Sequence, residues 1–153
     1  MQLIHAALTS SDGTLPSIAL HVDRITLAKR LWRGSAEDGM EFGFELEKPL
    51  RHGDAVWQTA AARYVIHQYE EPVVEIALDL PPSVAAGIGW AIGNLHLELA
   101  AEATRLLAPD EPAVRQLLDR LTVPYRSTNA IFRPGRFARG VQPNHELGPS
   151  HRH

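Results

Sequence analysis

Cysteine is absent from the 153 residues, and that omission alone removes a disulfide framework, a thiolate zinc site, an iron–sulfur cluster and a thiol nucleophile. Aromatic residues are few, at 7%, and no run of about 18 apolar residues occurs, so no membrane span is expected. The N-terminus, Met1-Gln2-Leu3-Ile4-His5-Ala6, lacks a basic segment followed by a long apolar one, which argues against a secretory signal and for a cytoplasmic protein. Histidine, by contrast, is plentiful, with 8 residues. Any metal must therefore be met by imidazole or oxygen.

Hydrophobic residues at 44% and charged residues at 22% are ordinary for a soluble globular chain, and the length suits one domain or two small ones closely joined. The net charge of −3 is unevenly spread. Residues 1–120 hold 10 Lys and Arg against 17 Asp and Glu, whereas residues 121–153 hold Arg126, Arg133, Arg136, Arg139 and Arg152 against Glu146 alone. Five spaced arginines are not the dense, aromatic-laced stripe of a nucleic-acid surface, so no nucleic-acid partner is expected.

Patterning divides the chain in three. Gln2 to Thr9, Ile18 to Val22, Arg30 to Ser35, Met40 to Leu46, Ala55 to Thr59 and Ala62 to Gln68 read as strands from rough alternation and β-branched or aromatic content. Asp38-Gly39 and His52-Gly53-Asp54 supply turns between them. Half a dozen strands without a helical stretch predict a small β-sandwich or open barrel over residues 1–69. Over residues 70–132 the order changes to strand (Val73 to Leu78), helix after Pro81-Pro82-Ser83, strands at Leu97 to Ala100 and Thr104 to Leu107, helix after Pro109-Asp110-Glu111-Pro112, and strand from Val123 to Ile131. That βαββαβ order is the ferredoxin-like plan, so the fold class is α+β. Gly87 and Gly89 weaken the first helix but admit a close backbone approach. Residues 133–153 show no periodicity and read as a loose tail.

Within this frame the histidines are the candidates for chemistry. Imidazole suits nickel, zinc and copper. His151 and His153 lie two apart in the tail with His145 close by, although a solvated terminus explains them equally well. His96 follows Gly93-Asn94, read as the C-terminal cap of the first helix, and so projects from a rigid junction, where a lone histidine is more often a structural side chain than a ligand. His5, His21, His52 and His67 are scattered through the β-rich region with no spacing that converges them, and are read as ordinary structural side chains. No phosphate-binding glycine loop, nucleophile elbow or HExxH motif is present. Glu70-Glu71 and Asp110-Glu111 read as solvated charge and helix-start chemistry. Arg139-Gly140-Val141-Gln142 faintly resembles the phosphate loop of acylphosphatases, but lies in the tail where that family's loop follows the first strand. No enzyme is predicted.

Several stretches together resemble the UreE family of urease accessory proteins, the nickel metallochaperones of urease maturation. They are Asp38-Gly39 through Leu50-Arg51-His52-Gly53-Asp54, Glu71-Pro72-Val73-Val74-Glu75, Ala91-Ile92-Gly93-Asn94-Leu95-His96, the second helix through Leu117-Leu118, and Phe132-Arg133-Pro134. The Gly-Asn-x-His step is the most specific. The resemblance implies a homodimer in which His96 from each copy meets its counterpart to bind one Ni(II) as cargo, with His145, His151 and His153 completing or loading the site. It also implies a peptide-binding first domain, and as partners the urease accessory GTPase and, through it, the urease apoprotein. Zn(II) or Cu(II) would compete for such nitrogen ligands in vitro. A scaffold without metal, or a metal-responsive regulator, would use the same fold.

The chain departs from the family pattern in three places. Only three tail histidines are present, which argues against a large nickel store. Leu107-Ala108-Pro109-Asp110 stands where some members carry extra histidines, and Leu95 occupies a position that is usually basic.

Overall fold

A computed structural model describes residues 1–139 and 142–146, with the backbone alone described from residue 136 onward. The chain forms two compact units, Met1–Tyr69 and the remainder from Glu70, and is α+β as the patterning predicts. No described helix is long and apolar enough to cross a membrane.

The first unit contains β1 (Gln2–Ile4), β2 (Ser17–Val22), α1 (Arg24–Leu27), β3 (Leu31–Ser35), β4 (Glu41–Glu45), β5 (Ala55–Gln58) and β6 (Arg63–Gln68). They make two three-stranded sheets, ordered β1-β4-β3 and β2-β6-β5, each with one parallel and one antiparallel pair. Alternation sends Ile4, Trp32, Phe42 and Phe44 from the first sheet and Leu20, Val22, Val56, Tyr64 and Ile66 from the second into one core. The β3–β4 turn needs Gly39, whose φ of 86° is left-handed. Asp38 beside it accepts the Met40 N–H at 3.0 Å and the Tyr64 hydroxyl at 2.7 Å, tying the turn of one sheet to a core residue of the other.

Two expectations fail here. The first strand ends at Ile4 instead of running to Thr9, and the single turn α1 interrupts a stretch expected to be helix-free. Asp23 caps that turn by accepting the Thr26 N–H at 2.8 Å, and Leu27 is buried. Four residues are too few to show helical periodicity in a sequence.

The second unit contains β7 (Glu71–Ala77), α2 (Pro82–Asn94), β8 (Ala100–Ala101), β9 (Arg105–Pro109), α3 (Pro112–Arg120) and β10 (Arg126–Ala130). The sheet is antiparallel throughout, in the order β10-β7-β9-β8. Both helices pack on one face, where Ile88 and Ile92 of α2 and Val114, Leu117 and Leu118 of α3 meet Val74, Ile76, Leu106 and Ala108. On the opposite face Val73, Leu107, Ala100 and Ala130 are covered by Phe132, which is fully buried. Glu75 on that face takes Arg105 from β9 and Arg126 from β10, each at 3.0 Å.

The strands expected at Leu97 to Ala100 and Val123 to Ile131 are shorter than read. Leu97 and Leu99 pack against the helical core from a loop, and Thr122, at a φ of 54°, turns the chain before β10 begins. Glu111 occupies the N-cap of α3 without a side-chain cap bond, while Asp110 instead forms a two-bond pair with Arg115 at 2.6 and 2.8 Å. Beyond Phe132, where no regular element was expected, β11 (Arg136–Arg139) and β12 (Gln142–Glu146) pair antiparallel. The turn at Gly135, whose φ is 79°, leads into β11, and the Gly135 N–H donates to the Leu99 carbonyl at 2.9 Å.

Candidate metal centre

His96 is placed by the way α2 ends. The helix runs through Gly93 and Asn94, which lie inside it and do not cap it, and Leu95 is its C-cap. His96 then adopts a left-handed φ of 57°, with its N–H donating to the Gly93 carbonyl at 2.9 Å. Left-handed backbone is disfavoured for a residue bearing a Cβ, by about 1 kcal/mol, so glycine or asparagine is the usual choice there. A histidine in that conformation is held out from the helix end with its side chain exposed. The residue pattern predicts a strand starting one residue after His96, whereas the strand begins only at Ala100.

The helix that carries His96 buries a narrow stripe in its own chain. Of its 13 residues only Ile88 and Ile92 are buried. Trp90 is 72% exposed, Val84 and Leu95 are also exposed, and a Cβ added at Gly87 or Gly93 would meet nothing within 4 Å. Gly89 is different, since its Cβ would touch the Leu99 side chain at 3.4 Å. Each interior glycine weakens a helix by about 1 kcal/mol relative to alanine, and nothing among the described residues requires the bare backbone at Gly87 and Gly93.

Of the other expected ligands, His145 lies on β12 with Phe137 as its strand partner. His151 and His153 lie outside the described residues. Among the described residues no group of three or more potential ligands is placed to hold a metal ion. His96 is thus a single exposed imidazole, and one imidazole does not fill the coordination sphere of a divalent ion.

The β-rich unit does bring histidines together, contrary to the expectation that they are scattered. Parallel pairing of β2 with β6 sets His21 opposite His67, and His52 in the turn before β5 reaches the same ring. Residues 46 positions apart give no local signal; only the strand register joins them. His5 stays apart, with its Nδ1 at 3.1 Å from the Glu45 carbonyl.

Two acidic groups of the second unit, Glu75 and Asp110, are occupied by arginines. The Arg126 hydrogen bond above all, opposed by burial and aided by Arg105, holds the Glu75 carboxyl below its ordinary range. The Arg115 hydrogen bond does the same for Asp110. These carboxylates therefore serve the sheet and the start of α3.

The family model described as UreE urease accessory protein, C-terminal domain, matches residues 71–153. A urease accessory protein UreE of Geobacillus kaustophilus is 31% identical over 133 residues, covering 81% of this chain and 88% of that protein. One from Lysinibacillus sphaericus is 28% identical, covering 70% of this chain and 73% of its own length, and one from Beijerinckia indica is 32% identical over 71% and 64% respectively. With the family model spanning over half of the chain and the G. kaustophilus relative aligned along most of both sequences, the chain belongs to the UreE family of urease accessory proteins, which are not enzymes.

Proposed function

We propose that this chain is a nickel carrier in urease maturation, binding Ni(II) as cargo at a site shared between two copies and centred on His96. The observation that carries the reading is one exposed imidazole, held in left-handed backbone, at the end of a helix whose Trp90 side is left uncovered by the described residues. A second copy laid against α2 would cover Trp90, use the open backbone at Gly87 and Gly93, and bring a second His96 to the first. Two imidazoles leave coordination positions open, which His145, His151 and His153 would complete during capture and vacate during transfer. A carrier that must release its ion has reason not to enclose it.

In this reading the first unit is a β-sandwich that engages a protein partner, and the second is a ferredoxin-like metal-binding and dimerisation domain. The ion passes to the urease accessory GTPase and through it to the urease apoprotein. Copper would exceed nickel in intrinsic affinity for such nitrogen ligands, and zinc would also bind, so delivery of nickel depends on the partner and on metal supply.

Nickel titration of the purified protein, with mass determined in parallel, tests the proposal. One tightly bound ion per two copies is expected. One ion per copy, or a chain that stays monomeric when loaded, would overturn the shared site, and a dimer that binds no nickel would leave a scaffold.

A further inference from the structure

Three imidazoles gather where the first unit ends. The ring centroids of His21 and His67 lie 4.9 Å apart, as do those of His52 and His67, and both pairs meet edge to face. Tyr69 stacks on His21 at 5.4 Å. The nitrogens that make hydrogen bonds have distinct duties. His52 Nδ1 accepts the backbone N–H of Gln68 at 3.1 Å, which requires an unprotonated Nδ1. His21 Nε2 donates to Glu37 Oε1 at 2.8 Å, while its Nδ1 is screened from solvent and has no partner. Gln68 is itself buried, and Tyr69 donates its N–H to the Val22 carbonyl at 2.9 Å. These two residues are the last of the first unit, and the next, Glu70, begins the second.

A proton added at His52, or at the buried nitrogen of His21, works against this arrangement. On His52 it occupies the lone pair that holds Gln68, leaving a buried N–H to find another acceptor. On His21 the charge would be matched by Glu37, but the new Nδ1–H would be buried without an acceptor. Two imidazolium rings at this separation would also repel. Glu37, from the β3–β4 connection, and Tyr69 are among the charged and titratable groups against the stack, and Arg51 is the chain neighbour of His52. Asp54, in the turn that holds His52, accepts the Arg51 N–H at 2.8 Å.

We propose that His21, His52 and His67 form a proton-sensitive clasp on the exit of the first unit. In the neutral state it pins Gln68 and Tyr69, and protonation of His52 releases the segment that leads into the second unit. The sign follows from linkage: the released form binds more protons than the clasped form, so release grows as pH falls through the imidazole range near about 6.5. The clasp involves neither His96 nor the tail, so it stands or falls separately from the nickel reading.

Hydrogen exchange of the full chain, followed by NMR with a chelator present, tests this at about pH 7.5 and about pH 5.5, either side of the ordinary imidazole value. The Gln68 amide is compared with the Ile66 amide, which donates to the Asp54 carbonyl at 2.9 Å and involves no imidazole. After correction for intrinsic rates, Gln68 protection should fall about tenfold relative to Ile66 at the lower pH. His52→Gln, whose side-chain oxygen can accept the same N–H without titrating, should abolish that fall. A wild-type ratio constant to within about twofold, or a fall that persists in His52→Gln, would overturn the proposal. Should the variant fail to fold, the imidazole nitrogen shifts of the wild type decide: His52 gaining its proton with no change at Gln68 refutes the clasp, and the two changing together supports it.

Discussion

Replacing His96 separates ligand from scaffold, because the side chain is exposed and its residue makes one local backbone hydrogen bond, from its N–H to Gly93 at 2.9 Å. His96→Ala removes the imidazole while keeping both that bond and the left-handed backbone, so its effect on stability should stay within about 0.5 kcal/mol, as for other surface changes. His96→Gly also removes the imidazole but relieves the strain of a Cβ at a φ of 57°. It should therefore be equal or slightly more stable, by up to about 1 kcal/mol. Metal binding should respond quite differently. Loss of a group that merely supports a ligand weakens metal affinity about 10- to 100-fold, so loss of the ligand from both copies should weaken nickel binding at least about 100-fold. Both variants should do so alike, despite their difference in backbone strain. Calorimetric titration with nickel, beside urea unfolding and mass measurement of the apo forms, checks all three quantities. Unchanged nickel affinity in either variant at unchanged mass would refute His96 as a ligand, and a large loss of stability in His96→Ala would show that its role is structural.

The second unit should answer to two further perturbations. Phe132→Ala removes the ring that seals Val73, Leu107, Ala100 and Ala130 on the helix-free face of the sheet, and a fully buried phenylalanine truncated to alanine costs about 3–5 kcal/mol. Urea unfolding read by NMR should show that loss in residues of the second unit, with the core around Phe42, Phe44 and Ile66 unfolding at its former midpoint if the two units unfold independently. Acid should act through Glu75 and Asp110, whose carboxyls are lowered by Arg126 and Arg115. Because the folded form holds these groups ionised more readily than the unfolded chain, their contribution is present above about pH 4–4.5 and is lost as pH falls through their lower folded values. The urea midpoint of the second unit should therefore drop between about pH 5 and about pH 3, with a smaller drop in Arg126→Gln.

Much of this protein could be read along the chain, because the features concerned are local. Turn residues such as Asp38-Gly39, the proline starts of α2 and α3, and the alternation of Phe42 and Phe44 act over a few positions, and the elements they predict are present. Short elements were the exception: α1, β8 and the β11–β12 pair leave too few residues for periodicity to register. His96 stood out through its neighbours Gly93 and Asn94, yet its left-handed backbone follows a helix that includes those two residues and is capped only at Leu95.

Which distant residues meet depends on how the strands pair across the chain. The sheet order β10-β7-β9-β8 sends one helix-bearing face and one Phe132-covered face to opposite sides, a partition that depends on strand register. The same physics governs the histidines. Their number and the absence of cysteine were fixed by composition, and restricted any metal chemistry to imidazole and oxygen. That His21 meets His67 follows from pairing β2 with β6 across 46 positions, a contact made by backbone hydrogen bonds that no side-chain pattern announces, and His52 joins them from the turn before β5.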